Sequence, residues 1–277
     1  MIEELIRTTN LTKIYGSGEA SVRALDGVNL TVPRGELLAV MGPSGCGKST
    51  LLNMLGALDQ PTSGEVWVAG ENLARLKNVD TFRAKTVSFI FQLHNLLPTL
   101  SAQENVEVPM QGQLPAGKRR ERAKKLLEMV GLSERGGALP SQLSGGQRQR
   151  VAVARALANG PALILADDPT GSLDTQSGEE VLTLLADLNR TQGTTIVIVT
   201  HDRRVAQATQ RIVSMSDGRI VSDHLLLDPL EEDLRTLADS RLGQAILGNN
   251  GLKASYLSPE ERAMLRELLE KVESSPH

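Results

Sequence analysis

The chain has 277 residues, 40% of them hydrophobic, which is enough to bury a full core. Its 30 basic and 33 acidic residues give a formal net charge of −3, whereas a protein that binds nucleic acid through phosphates needs a basic excess. The single cysteine, Cys46, excludes an internal disulfide and is typical of a reducing compartment. We therefore expect a cytoplasmic protein that binds no nucleic acid.

No apolar run of the sequence approaches the ~20 residues that a membrane-spanning helix needs. The runs Ala162–Ala166 and Ile196–Val199 have the length of core strands. The first residues alternate between charged and apolar types, unlike the apolar stretch of a secretory signal. If the protein acts at a membrane, we expect it to lie on the inner face as a peripheral subunit, with another chain supplying the spans.

Apolar runs of strand length predict two groups of strands. The segments Ile6–Leu11, Val22–Val32 and Gly64–Val68 predict a small antiparallel sheet beside the core. Helical patterns separate the later strands, and this alternation predicts a mainly parallel α/β sheet with helices on both faces. The buried strands predicted for that sheet are Glu36–Met41, Thr86–Phe91, Ala162–Ala166 and Thr194–Thr200.

A helical insertion interrupts the parallel sheet. It runs over Leu93–Asn159, and its helical stretches Lys118–Val130 and Gln147–Ala158 have no strand partner. Near the C-terminus, Ser258 and the proline after it predict the start of a helix that runs to Val272. We predict three parts: an α/β core with its β subdomain (residues 1–92 and 160–224), a helical subdomain (93–159) and a C-terminal helical extension (225–277).

A glycine-rich segment, Gly42–Ser49, directly follows the first parallel strand and opens a helix at Thr50–Leu55, which is the pattern and context of a phosphate-binding P-loop. Its glycines let backbone N–H groups turn toward an anion, Lys48 adds charge for the β- and γ-phosphates, and Ser49 is placed to ligate Mg²⁺. The same setting predicts a reactive Cys46 thiolate that bound ATP shields. The predicted nucleotide-binding residues here are Gly42, Ser44, Gly45, Cys46, Gly47, Lys48, Ser49 and Thr50.

The apolar strand Leu163–Ala166 is followed by two acids, Asp167 and Asp168. A carboxylate at the end of a buried strand, next to a phosphate site, is costly unless a metal is present. Asp167 is therefore predicted to hold Mg²⁺ through water.

A second anion site is predicted at the segment Leu143–Gln147, where a serine and two glycines open the helix that starts at Arg148. Together with the acidic strand end and His201, this segment resembles the signature of the ABC ATPases. The resemblance covers Leu5–Asp223 and implies a P-loop NTPase (RecA-like) core with an antiparallel β subdomain and an inserted helical subdomain. It implies nucleotide contacts from Ser144, Gly145, Gly146 and Gln147.

The resemblance also implies a mechanism. ATP and Mg²⁺ are the expected cofactors, and ATP is hydrolysed. The signature of one subunit closes over ATP held by the P-loop of another, so a head-to-tail homodimer encloses two nucleotides. The family's motif positions imply roles for four further residues. Gln92 senses Mg²⁺ and the membrane partner, and His201 contacts the γ-phosphate. Asp174 lies in the loop that links the two sites, and Tyr15 stacks on adenine.

Asp168 stands where the family most often has the glutamate that polarises the attacking water. Aspartate is one methylene shorter, and a displacement of about 1 Å can cost about 10²-fold in rate. Three interpretations are open: a slow or compensated ATPase, a deliberate change that traps ATP, and a fully active variant.

Finer features, such as Phe91–Pro98 and Ala166–Asp174, resemble the lipoprotein-releasing, macrolide-efflux and cell-division group of ABC ATPases. That group implies a separate integral membrane subunit, which contacts the region near residues 93–109. One alternative is a non-transport regulator of a membrane-bound cell-envelope partner. The other is a soluble ABC ATPase that acts on DNA or ribosomes, a class that usually has two ATPase units or a long coiled-coil insertion, both missing from this sequence.

Overall fold

The computed structural model describes residues 3–226, 234, 237–238, 240–247, 258 and 263–269. The chain divides into two units, Met1–His224 and Leu225–His277. In chain order the elements are β1 (Glu4–Tyr15), β2 (Val22–Pro33), β3 (Leu37–Met41), α1 (Lys48–Leu55), β4 (Ser63–Val68), β5 (Glu71–Asn72), α2 (Val79–Lys85), β6 (Val87–Phe91), α3 (Ala102–Glu107), α4 (Ala116–Met129), α5 (Gly145–Ala156), β7 (Leu163–Asp167), α6 (Thr175–Gln192), β8 (Thr195–Thr200), α7 (Arg203–Gln207), β9 (Arg211–Ser216), β10 (Arg219–Leu225) and α8 (Arg241–Leu247).

A six-stranded sheet forms the centre of the first unit, in the order β10-β9-β3-β8-β7-β6. The pairs β3–β8, β3–β9, β7–β8 and β6–β7 are parallel. Their strands are nearly continuous runs of apolar side chains, as expected for parallel strands that are covered on both faces. The four predicted strands of this sheet are confirmed, each within one residue at either end.

A second, antiparallel sheet has the order β2-β1-β4-β5, with β1 paired to both β2 and β4. This confirms the predicted β subdomain. The first strand is longer than the prediction Ile6–Leu11, because β1 continues through register shifts as far as Tyr15. The extension places Lys13 and Tyr15 on the sheet rather than in a loop.

The parallel sheet separates two apolar clusters, because side chains alternate along each strand. On β7, Leu163 and Leu165 join a cluster that includes α1 and the inner face of the antiparallel sheet. Ile164 and Ala166 join a second cluster formed with α3, α4, α5 and α6. The carboxyl edge of the sheet is therefore fixed from both sides.

The second unit is described in part. It contains α8 and a helical stretch at residues 263–269, with Ala238, Ile246 and Leu269 buried together. Residues 259–262 and 270–272 of the predicted Ser258–Val272 helix lie outside the described residues. Within the described part of the chain, no helix has both the length and the hydrophobicity required to cross a bilayer.

Candidate active site

The chemistry-bearing residues gather at the carboxyl edge of the parallel sheet. The P-loop follows β3, Gln92 follows β6, and His201 follows β8. Asp167 is the last residue of β7, and Asp168 comes directly after it. Because β3, β8, β7 and β6 are neighbouring parallel strands, their carboxyl ends lie side by side. This edge is where open α/β sheets bind ligands.

The P-loop takes a path that requires glycine. Gly47 begins α1 with φ 105°, and a Cβ there would lie 2.3 Å from the carbonyl oxygen of Ala24. At Gly42 a Cβ would lie 2.3 Å from the carbonyl oxygen of Met215. The loop is therefore packed closely between β2 and β9, and side chains at these two positions would displace it.

Lys48 lies across this loop. Its Nζ donates hydrogen bonds to the carbonyl oxygens of Gly42 at 2.7 Å and Pro43 at 2.8 Å. The ammonium group thus stands at the N-terminus of α1, where the helix dipole also favours an anion. Phosphate oxygens are natural replacements for those two carbonyl partners.

Cys46 does not fit the predicted reactivity. Its side chain is only 5% exposed and belongs to the apolar cluster between α1 and the sheet. Its backbone N–H donates to the carbonyl oxygen of Pro43 within the loop, at 3.3 Å. The prediction of an accessible side chain is therefore wrong: Cys46 Sγ is buried in the apolar cluster, although Lys48 Nζ lies 3.9 Å from it.

A cavity opens in front of the P-loop. Besides loop and α1 residues, it is lined by the start of β2 and by the turn between β9 and β10, which sequence reasoning missed. The N–H of Gly218 in that turn donates to the carbonyl oxygen of Cys46 at 3.0 Å, so the turn stabilises the P-loop. The lining residues are Val22, Arg23, Ala24, Gly45, Gly47, Lys48, Ser49, Thr50, Asp217 and Gly218.

Ser49 and Asp167 form the pair that suits Mg²⁺. The hydroxyl of Ser49 donates to Asp167 Oδ1 at 3.3 Å. Burial and the neighbouring Asp168 carboxylate raise the pKa of the Asp167 carboxyl, while the hydrogen bond from Ser49 and the charge of Lys48 act in the opposite direction. Across the described residues, no group of three or more His, Cys, Asp or Glu side chains is arranged to hold a metal ion. Mg²⁺ bound mainly by phosphates and water needs only the two oxygen ligands seen here.

Asp168 is held by the residues that end β8. Its Oδ1 accepts from the Thr200 hydroxyl at 3.3 Å, and its Oδ2 lies 3.3 Å from Nδ1 of His201. Its φ of 45° is in the left-handed region, which aspartate tolerates better than most side chains. A Cβ at Gly171 would lie 2.3 Å from Asp168 Oδ2, so the loop after β7 passes directly over this carboxylate.

Gln92 contacts the same loop. The hydroxyl of Ser172 donates to the Gln92 carbonyl oxygen at 2.8 Å. The Gln92 side-chain amide lies near Gly171, where an added Cβ would be 2.8 Å from Nε2. The structure thus brings the side chains of the predicted Gln92 and Asp168 together at Gly171. Three residues after Gly171, Asp174 accepts from the Ser177 N–H at 2.9 Å and caps α6, and these hydrogen bonds hold the pKa of Asp174 below its usual range.

The predicted signature residues open α5. Ser144 accepts from the Gln147 N–H at 3.2 Å, and the Gln147 side chain accepts from the Ser144 N–H at 3.0 Å, which forms a capping box. At Gly146 a Cβ would lie 2.7 Å from the Ser177 hydroxyl, so the close approach of α6 requires this glycine. Among the described contacts, no hydrogen bond or ion pair joins Ser144–Gln147 to the P-loop.

Tyr15 is held beside the P-loop helix by residues that sequence reasoning did not assign. Its hydroxyl donates to Asp59 Oδ2 at 2.9 Å, and the Lys13 ammonium lies 4.8 Å from the centroid of its ring. Partial burial and the Asp59 carboxylate raise the pKa of Tyr15. The ring is 40% exposed.

The segment near residues 93–109 exposes two leucines and is anchored by Arg155. Leu93 is 73% and Leu97 is 46% exposed. His94 and Asn95 both have positive φ, and the Arg155 guanidinium of α5 donates to their carbonyl oxygens at 2.8 Å and 2.6 Å. The segment is therefore coupled to the helix that carries the signature residues.

Known proteins similar to this chain agree with the P-loop arrangement described above. The family model for ABC transporters matches residues 25–171. The macrolide export ATP-binding/permease protein MacB of Hyphomonas neptunium is 50% identical over 226 residues, 80% of this chain and 35% of that protein. The uncharacterized ABC transporter ATP-binding protein MJ1508 of Methanocaldococcus jannaschii is 50% identical over 220 residues, 78% of this chain and 98% of that protein.

A solved structure has the same fold. The dimeric ATP-binding cassette MJ0796, in a post-hydrolysis state with ADP and Pi, has a TM-score of 0.74 and 44% identity, and the match covers 80% of this chain and 99% of that one. The present chain spans 35% of the MacB relative and 98% of MJ1508. The predicted P-loop NTPase fold is confirmed by these matches, and the chain belongs to the ABC transporter family as an ATP-binding cassette.

Proposed function

We propose that this chain hydrolyses ATP to drive a separate membrane subunit. One observation carries the proposal: the carboxyl edge of the parallel sheet joins Lys48, the Ser49–Asp167 pair and the Asp168–His201 pair. These supply phosphate binding, oxygen ligands for Mg²⁺ and a carboxylate close to an imidazole. This set is what phosphoryl transfer to water requires, because catalysis there is mostly positioning and charge stabilisation.

Each residue has a separate task. Lys48 exchanges its two carbonyl partners for β- and γ-phosphate oxygens. Ser49, Asp167 and Gln92 would hold Mg²⁺, and a bound ion would supply positive charge to the phosphates. Asp168 accepts a hydrogen bond from the attacking water and orients it. His201, whose side chain is 68% exposed, is free to contact the γ-phosphate of a bound nucleotide.

The active form is a head-to-tail homodimer. The cavity in front of the P-loop contains no residue of the segment Ser144–Gln147, so the anion site at the start of α5 is left for another nucleotide. A second copy in the opposite orientation places that site over the ATP of the first. The solved cassette MJ0796 is itself described as dimeric.

The membrane partner binds near residues 93–109 and places the chain on the inner face of the membrane. Two observations support this: Leu93 and Leu97 expose apolar side chains, and Arg155 ties the segment to α5. The name of the MacB relative describes an ATP-binding/permease protein, of which the present chain spans 35%. By analogy, the partner is an export-type permease.

The ATPase proposal is tested with two matched variants of the purified chain. Lys48→Ala should abolish Mg²⁺-dependent ATP hydrolysis. Lys125→Ala removes a lysine that pairs with Glu121 on the exposed face of α4, and it should leave hydrolysis unchanged. Hydrolysis that survives Lys48→Ala would show that the P-loop is not the site.

The partner proposal is tested by photo-crosslinking in cells. A crosslinking amino acid at Leu97 should capture an integral membrane protein, whereas the same group at Val221, 62% exposed on β10, should not. Equal capture at both positions, or capture of no membrane protein at Leu97, would contradict the proposed docking segment.

A further inference from the structure

The Asp59 carboxylate links two residues of β1. Its Oδ1 accepts from the Lys13 ammonium at 2.7 Å, and its Oδ2 accepts from the Tyr15 hydroxyl at 2.9 Å. The Gln60 N–H also donates to Asp59 Oδ1, at 2.7 Å. A carboxylate with both oxygens engaged has little freedom to rotate, so it fixes the two side chains relative to each other.

Asp59 is in turn fixed to the helix of the P-loop. The N–H groups of Leu58 and Asp59 lie 2.9 Å and 3.4 Å from the carbonyl oxygen of Asn53, in α1. The helix begins at Lys48, directly after the phosphate-binding loop. A short chain of contacts therefore runs from the P-loop through α1 and Asp59 to the ring of Tyr15.

Lys13 determines which face of the Tyr15 ring is available. Its side chain is only 13% exposed, and its ammonium donates to Asp59 and to the Gln60 carbonyl oxygen at 2.8 Å. It lies over the ring at 4.8 Å from the centroid, within the range of a cation–π interaction. With one face covered by Lys13, a purine can stack only on the other.

We propose that Asp59 is a positioning residue for the nucleotide base, holding the Tyr15 ring at a set place relative to the P-loop through the Tyr15 hydroxyl and Lys13. The inference rests on the proposed ATP site. Preorganising the ring lowers the ordering cost of binding, so the base and the phosphates of one nucleotide are bound together. Base stacking on an aromatic ring contributes to affinity, and a mobile ring loses part of that contribution.

The test compares a ligand that has a base with one that lacks it. Tyr15→Phe keeps the ring and removes the hydroxyl, and Asp59→Asn removes the charge that holds both partners. Each variant should bind ATP about threefold to tenfold more weakly, the range expected for one hydrogen bond. Binding of inorganic tripolyphosphate should stay unchanged, because the P-loop is untouched. Asp187→Asn, at an exposed aspartate paired with Arg190, is the control and should bind both ligands like the parent.

The double variant separates positioning from two independent effects. Tyr15→Phe combined with Asp59→Asn should bind ATP no more weakly than Asp59→Asn alone, because both changes break one link. The inference would be overturned if the losses of ATP affinity in the two single variants multiply in the double variant. It would also be overturned if a single variant loses equal affinity for ATP and tripolyphosphate, or binds ATP like the parent. If Asp59→Asn fails to fold, the Tyr15→Phe variant alone tests the inference: its ATP affinity should fall while its tripolyphosphate affinity stays unchanged. A parent chain that binds neither ligand would instead refute the proposed function itself.

Discussion

Asp168 and His201 follow neighbouring parallel strands, β7 and β8, and their side chains approach to 3.3 Å between Oδ2 and Nδ1. The N–H of Asp168 donates to the Val199 carbonyl oxygen at 2.8 Å, so the backbone of one strand fixes the end of the other. The register of the sheet thus fixes the backbone positions from which the carboxylate and the imidazole approach each other.

Asp168→Glu is expected to raise ATP turnover. The Asp168 carboxylate is held back by Thr200 and His201, and one more methylene would carry it beyond them toward the attacking water. The gain can reach about 10²-fold if the present carboxylate falls about 1 Å short. ATP affinity should not change, because the effect is confined to the transition state. Steady-state ATPase rates and equilibrium nucleotide binding measure the two quantities.

Asp168→Asn is the matched variant for this prediction. It has the same size as the parent side chain and cannot act as a base, so it should hydrolyse ATP more slowly while still binding it. A glutamate variant that is slower than the parent, or that binds ATP much more weakly, would show that Asp168 does not orient the water.

The stability contributed by Asp59 is expected to depend on pH. Although partial burial acts in the opposite direction, hydrogen bonds from Lys13 and Tyr15 hold the pKa of Asp59 below its usual value of 3.8. A depressed folded-state pKa stabilises the protein above the unfolded pKa, and this stabilisation is lost as the pH falls through the folded value. The difference in unfolding free energy between the parent and Asp59→Asn should therefore be greatest near neutral pH and shrink below 3.8. Urea unfolding across this pH range measures it, and a constant difference would contradict the ion pair.

Gly56→Ala is expected to destabilise the first unit. A Cβ at this position, which ends α1, would lie 2.0 Å from the ring of Phe89, whose own ring stacks on Phe91 at 5.5 Å. Overpacking of this kind costs about 1–3 kcal/mol. Gly117→Ala is the control, since it lies in α4 with open space around it and should leave stability equal or slightly higher. Chemical unfolding that shows equal effects would contradict the packing.

The motif residues were predictable because their positions depend on strand ends. Gln92, Asp167, Asp168 and His201 each end or follow a buried strand, and parallel pairing brings those ends together whatever the loops do. The P-loop was equally clear, since its glycines and Lys48 follow a strand and open a helix. Sequence patterns identify such sites when backbone topology alone assembles them.

Side-chain contacts between distant segments were not predictable. The bond from Tyr15 to Asp59 joins residues 44 positions apart, and it depends on how far β1 extends and where α1 ends. The Cys46 side chain points into the core because Ala24 and Met215 confine the path of the P-loop. The spacing of residues in the sequence does not predict that path. These features follow from tertiary packing, and a single sequence does not reveal it.

If two chains complete each other's ATP sites, the chain should sediment as a monomer without nucleotide and as a dimer with Mg²⁺ and a saturating non-hydrolysable ATP analogue. Ser144→Arg, which places a bulky charge at the start of α5, should still bind the analogue through Lys48 and Ser49 but remain a monomer. A parent chain that stays monomeric at saturating analogue, or a Ser144→Arg variant that dimerises as well as the parent, would contradict the head-to-tail arrangement.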